Sequence, residues 1–155
     1  MARGFTLIEL LVTLAIMATL AMVALPLTQV AAQRSREEEL RRALWQIRDA
    51  IDDYKTATDE GRVDKSVDDS GYPPTLDVLV EGAVDKGSAN GARIYFLRRI
   101  PRDPTCDCPS RGDAQTWGVR SYASPPDSPS EGLDVYDVYS RSEGVALDGT
   151  AYRQW

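Results

Sequence analysis

From Phe5 to Leu25 the chain is almost unbroken apolar sequence, relieved by three threonines and a single acid, Glu9. As a helix rising about 1.5 Å per residue, such a run reaches about 30 Å, the thickness of a bilayer's hydrocarbon core. From Gln33 to Thr58 the pattern changes but stays helical. Leu40, Leu44, Ile47, Ile51 and Tyr54 recur at spacings of four and three, which makes one apolar stripe on an otherwise polar surface. Glu37 and Glu38 precede Arg41 and Arg42 by one helical turn, so two solvated i,i+4 pairs are expected. Pro26 stands between the two halves, where an interior proline deletes a backbone hydrogen bond and bends the helix. The expectation is one long helix, with an apolar half over 5–27 and an amphipathic half over 28–60.

Beyond residue 60 the pattern is short and broken. Gly61–Gly71 is polar and acidic, and reads as loop. Tyr72-Pro73-Pro74-Thr75 reads as a rigid turn, with Thr75 the N-cap of a short helix carrying Leu76, Val78, Leu79 and Val80. Gly82–Gly91 is again loop, and Ile94–Leu97 a brief apolar run before Arg98-Arg99-Ile100-Pro101-Arg102-Asp103-Pro104, whose prolines keep it extended. Aromatic and β-branched residues predict strands over Trp117–Ala123 and Leu133–Ser140. Ser124–Gly132, rich in Pro and Ser, is too long for a tight hairpin and must run over the surface. Tyr152 and Trp155 are expected to cover a small antiparallel sheet. The class is α+β, with residues 61–155 forming one modest globular part beside the helix.

Composition narrows the function. The net charge is −6 and the arginines are scattered, which argues against a nucleic-acid partner. There is no histidine, so the commonest general base and the commonest transition-metal ligand are both missing. No set of residues resembles a catalytic site, and an enzyme is not expected. Cys106 and Cys108 are separated only by Asp107, which is not zinc spacing. They read as a local disulfide staple, with two free thiols or a redox-active or metal-binding pair as alternatives.

Glu9 is the anomaly. A carboxylate inside an apolar span costs roughly 2.5–3.5 kcal/mol by insertion scales, and nothing else in the span can pair with it. Its partner must come from another chain, or the group must be protonated. Met1-Ala2-Arg3-Gly4 is too short for the charged and hydrophobic regions of a secretory signal. Arg3-Gly4-Phe5-Thr6-Leu7-Ile8-Glu9-Leu10 instead resembles, almost letter for letter, the processing site of type IV pilins and type II secretion pseudopilins.

That resemblance implies a leader over 1–4, cleavage between Gly4 and Phe5 by a prepilin peptidase, and N-methylation of Phe5. It implies that Glu9 pairs with the terminal amine of a neighbouring subunit, and that Pro26 matches the proline that kinks the family's long helix. The implied fold is the pilin-like lollipop. The YPPTLDVLV and YFLRRIPRDP segments are similar to the major, G-type pseudopilin; Arg98, Arg99 and Arg102 there read either as facing acids of a neighbour or as a solvated basic loop edge. The implied function is a structural subunit of a type II secretion pseudopilus that drives folded proteins through the outer membrane. The alternatives are a type IV pilus subunit or, further off, a membrane-anchored periplasmic redox or metal protein. Expected partners are copies of itself, minor pseudopilins, the prepilin peptidase and the inner-membrane assembly platform. Expected location is the inner membrane, single-pass, with the C-terminal part periplasmic. No cofactor is expected. Major pseudopilins usually hold calcium in a late acidic loop, but here that loop offers only Glu143 and Asp148, with Asp134 or Asp137 to supplement them, and calcium wants six to eight oxygens.

Overall fold

Residues 6–67 and 69–155 are described by a computed structural model, the side chains of 23–26 excepted. The leader, Gly4, Phe5 and any kink at Pro26 lie outside that description. One helix, α1, runs Leu7–Asp59. The chain divides into two compact units, with the division between Ser35 and Arg36, so α1 contributes to both.

In the first unit the described part of α1 carries a sleeve of exposed apolar side chains, among them Leu7, Ile8, Leu11, Met17 and Leu20. The helix is long and apolar enough there to cross a membrane. The hydroxyls of Thr13 and Thr19 donate to the carbonyls of Leu10 and Ile16, so both polar groups are satisfied without leaving the helix.

In the second unit the predicted stripe is the core. Leu40, Leu44, Ile47, Ile51 and Tyr54 are all buried, as are Ala43, Ala50 and Ala57 on the same face. Burial of each large aliphatic contributes about 1.5–3 kcal/mol, so α1 is held by this packing more than by its local pairs. The two predicted i,i+4 pairs do not describe this surface. Glu37 is buried and accepts hydrogen bonds from the Leu147 amide at 2.9 Å and the Tyr152 hydroxyl at 3.1 Å. Arg41 lies 4.4 Å over the Trp155 ring, and Arg42 Nε donates to the Glu38 carbonyl. The C-terminal residues outcompete the helix surface for Glu37 and Arg41, while Arg42 stays on the helix's own backbone.

A short helix, α2, spans Asp77–Glu81, but Thr75 is not its cap: Leu76 takes that position and no side chain caps it. Tertiary bonds fix it instead. The Phe96 and Leu97 amides both donate to the carbonyl of Leu79, whose side chain is fully buried. This also ends the Ile94–Leu97 run as a strand after Ile94.

The sheet predicted as one is two separate antiparallel pairs. β1 (Ala83–Val84), inside the segment read as loop, pairs with β2 (Arg93–Ile94), just past it, with Ala83 opposite Ile94. Gly82 makes this hairpin feasible: its φ is +78°, and a Cβ there would lie 2.8 Å from the Ile94 carbonyl oxygen. β3 (Trp117–Arg120) pairs with β4 (Asp137–Ser140), with Trp117 opposite Ser140 and Arg120 opposite Asp137. Both are shorter than predicted. Past Arg120, Asp134 takes the Ser121 hydroxyl and the Tyr122 amide, and the Val135 amide turns to Pro73, so the ladder loses its partners. The Pro/Ser excursion is exposed from Pro125 to Gly132 as expected, while Ser124 is buried, its Oγ accepting from the Ser130 amide and donating to the Ser128 carbonyl.

Gly118 lets β3 and β4 close. A Cβ there would fall 2.3 Å from the ring of Tyr139 across the ladder. Gly118→Ala is expected to cost about 1–2 kcal/mol by overpacking. Measured by denaturant unfolding, the loss should largely disappear in the Gly118→Ala/Tyr139→Ala double variant.

The predicted aromatic cover is present with a different contact. Tyr152 is buried beside β4 after the Val145–Ala151 bridge, and the C-terminal residues fasten onto α1. Arg48 is the fastening: it donates to Asp137 Oδ1 at 2.8 Å, the Val138 carbonyl at 3.0 Å and the Trp155 carbonyl at 2.6 Å.

Candidate functional site

Thr6 is the last residue before α1 and acts as its N-cap. Its carbonyl accepts from the Leu10 amide, and its hydroxyl lies 3.4 Å from the Glu9 amide. Thr6 and Glu9 thus occupy the positions of a capping box, an arrangement that the sequence reading missed although Thr-x-x-Glu is its signature. The position has an electrostatic consequence. An acid in the first turn meets the positive end of the helix dipole, which stabilises charge by roughly 0.3–1 kcal/mol at exposed sites. That is less than the cost of holding a carboxylate in hydrocarbon.

Glu9 is exposed, and among the described residues no basic side chain is within ion-pair distance of it. Within the described first unit Arg34 is the one basic residue, about 37 Å further along the helix. The carboxylate is therefore presented outward from an apolar surface near the helix start. Chemically, that arrangement binds a cation brought by another chain.

The acids considered for calcium are not gathered. Glu143 is exposed. Asp148 Oδ1 accepts from both the hydroxyl and the amide of Thr150, at 2.6 and 2.9 Å, and these bonds hold its carboxyl below the ordinary value. Asp137 is engaged by Arg48 and, at 3.2 Å, by Arg120. Asp134 is buried against Ser121 and Tyr122. Among the described residues no three His, Cys, Asp or Glu side chains converge.

Asp134 gives the fold a pH dependence. Burial pushes its carboxyl up, but hydrogen bonds from Ser70, Ser121 and the Tyr122 amide outweigh this and hold it below the usual value. A depressed folded-state pKa contributes stability above the unfolded value, about 3.9, that is lost as pH falls through the folded one. Unfolding midpoints measured from pH 7 downward should fall below about pH 4, with a shallower decline in Asp134→Asn.

Residues 101–108 bring together the proline-rich segment and the cysteines. Trp117 Nε1 donates to the Pro101 carbonyl at 2.7 Å, and Asp103, only 1% exposed, is enclosed behind it. Asp103 accepts from the Thr105 amide at 2.7 Å, the Thr105 hydroxyl at 2.6 Å and the Ser140 hydroxyl at 2.6 Å. Its own amide donates to Thr116 Oγ1. Cys106 and Cys108 are joined as a disulfide, with Cα atoms 5.3 Å apart. Arg102, read as facing a neighbour, turns inward: it donates to the Arg111 carbonyl at 2.9 Å and to the Cys108 carbonyl, and lies 3.5 Å from Asp113. Arg98 and Arg99 stay exposed.

Glu37, Arg48 and Asp103 do most of the polar organisation, and sequence reading singled out none of them for it. For Asp103 a signal existed, since an acid between two prolines followed by Thr fits a side chain bonding two residues on. For Glu37 and Arg48 none existed, because their partners lie near the opposite end of the chain.

Comparison with known proteins agrees with the N-terminal geometry. Residues 1–25 match the family model described as the prokaryotic N-terminal methylation motif. No curated protein and no solved structure matches the chain. The motif supports a type IV pilin-like subunit, processed by a prepilin peptidase, that assembles with copies of itself. Together with the apolar first part of α1 it fits a single-pass, membrane-anchored chain.

Proposed function

We propose that this chain is a structural subunit of a type II secretion pseudopilus, and not an enzyme. Inserted singly in the inner membrane with its C-terminal part in the periplasm, it is cut between Gly4 and Phe5, methylated on Phe5 and stacked head-to-tail. A head-to-tail contact that does not close gives an open helical fibre. Apolar helices bury against one another in its interior, and Glu9 meets the new terminal amine of the neighbour, which sets register. Extension of the fibre from an inner-membrane platform, with minor pseudopilins, pushes folded cargo outward.

The observation that carries this reading is the methylation motif over residues 1–25, continuous with an exposed apolar helix that presents Glu9. The LRRIPRDP segment supports the pseudopilin by its resemblance to the G-type subunit. The one-residue spacing of Cys106 and Cys108 also differs from the well-separated pair that closes a C-terminal loop in pilins.

The intact mass of the protein from its native membrane tests the class. Loss of Met1–Gly4 with the gain of one methyl group is the expected result, and an unprocessed chain would overturn it. Deletion of the gene then separates the systems: loss of a secreted enzyme with motility and DNA uptake intact supports the pseudopilus, and the converse supports a pilus.

A further inference from the structure

The cysteine pair takes no part in the cleavage, insertion or stacking that the filament reading describes. A disulfide closed across one residue removes little chain entropy from the unfolded state, since that contribution grows with the logarithm of loop length. The fold does not depend on it either. Residues 101–105 are tied to β3 and β4 through Trp117, Asp103 and Ser140, and none of those bonds runs through a sulfur. Both cysteines are partly exposed, with Asp107 and Pro109 exposed beside them.

The two sulfurs are not equivalent. Arg102 Nη2 donates to the Cys108 carbonyl and stands 3.8 Å from Cys108 Sγ. Its other terminal nitrogen, Nη1, is occupied by the Arg111 carbonyl and Asp113, so the guanidinium is held in place with one edge on Cys108. A fixed cation beside one sulfur favours that sulfur as the thiolate, and the more stable thiolate is the better leaving group.

We propose that Cys106–Cys108 is a thiol–disulfide exchange site for small-molecule thiols, with Cys106 Sγ attacked, Cys108 leaving and Arg102 the positioning residue. An incoming thiolate forms a bond to Cys106 Sγ as the Cys106–Cys108 bond breaks, and the electron pair departs on Cys108 Sγ beside Arg102. A second thiolate attacks the sulfur of the first, releases the oxidised dimer and leaves Cys106 as a thiolate. Solvent protons complete the two thiols. Two external thiols are oxidised and one protein disulfide is reduced.

The full chain in detergent, treated with reduced glutathione in the presence of an alkylating agent and mapped by peptide mass, tests this. Glutathione should be found on Cys106 and the alkyl group on Cys108. Reduction should slow by about tenfold in Arg102→Met and stay within about threefold of native in Arg102→Lys, as expected for a charge acting on the leaving thiolate. Glutathione on Cys108, or a disulfide that does not react in the folded native chain, would overturn the proposal without any variant. Equal or faster reduction in Arg102→Met would do so too, because it would make Arg102 only a strut for the loop.

Discussion

Glu9→Leu is expected to insert into the membrane at least as well as the native chain and to fail to build filaments. Insertion should improve, because removing a carboxylate from an apolar span relieves a cost of roughly 2.5–3.5 kcal/mol. Assembly should fall by more than tenfold, because the variant gives up the only acid of the described apolar span. A charge pair formed away from water is strong, and breaking one partner strands the other, at a cost of about 3–5 kcal/mol. That exceeds the 1.4 kcal/mol that corresponds to about one order of magnitude in an equilibrium.

The capping arrangement supplies the control. Glu9→Gln keeps a side chain that serves a capping box with Thr6 but carries no charge. If charge sets register, Gln fails as Leu does. If the residue only caps α1, Gln assembles normally and Leu is mildly impaired, at about 0.5–2 kcal/mol of local helix stability. Electron microscopy of sheared filaments, read beside membrane fractionation, distinguishes the outcomes. Filaments of native number from Glu9→Leu would remove the pairing argument.

Asp103→Ala should be the most damaging single polar substitution in the second unit, costing about 2–4 kcal/mol. The carboxylate is almost fully enclosed and accepts three hydrogen bonds, two from Thr105 and one from Ser140, itself 0% exposed. Alanine leaves the Thr105 amide without that acceptor. The Thr105 and Ser140 hydroxyls, 3.0 Å apart, can partly compensate by bonding each other. This keeps the cost below three full unsatisfied groups. Asp103→Asn should lose about half as much, since one amide oxygen can still serve Thr105 while the Ser140 hydroxyl rotates to accept from the amide nitrogen. Fluorescence of buried Trp117 during denaturation of the full chain in detergent reports the midpoint. A midpoint unchanged by alanine would mean that Trp117 and its bond to Pro101 hold the segment unaided.

The long helix and its core face were legible before any coordinates. Leu40, Leu44, Ile47, Ile51 and Tyr54 lie at helical spacing, and all five are buried. Local periodicity determines which face of a helix is apolar, and an apolar face is buried wherever the chain offers something to cover it. The N-terminal motif was legible for a similar reason: its length, its single acid and its flanking residues are all local properties. The surface course of Ser124–Gly132 followed from a linker too long for a tight hairpin.

What covers the stripe was not legible. Trp117, Val138, Leu79 and Tyr152 reach the core from four separate elements, and their approach depends on contacts between residues far apart in the chain. The strands came out short because one carboxylate, Asp134, took the Tyr122 amide and the Ser121 amide went to Ser130, donors that a neighbouring strand would otherwise have used. Glu37 turned inward because the last residues of the chain brought an amide and a hydroxyl to it, which no local pairing rule anticipates. Arg102 likewise reaches Cys108, because the loop folds back over six residues. By itself the sequence determined the helix, its two characters and the motif at its start. The tertiary structure alone decided where each polar group found its partner, because a buried hydrogen bond is chosen by proximity in space, and proximity in space is set only once the core has packed.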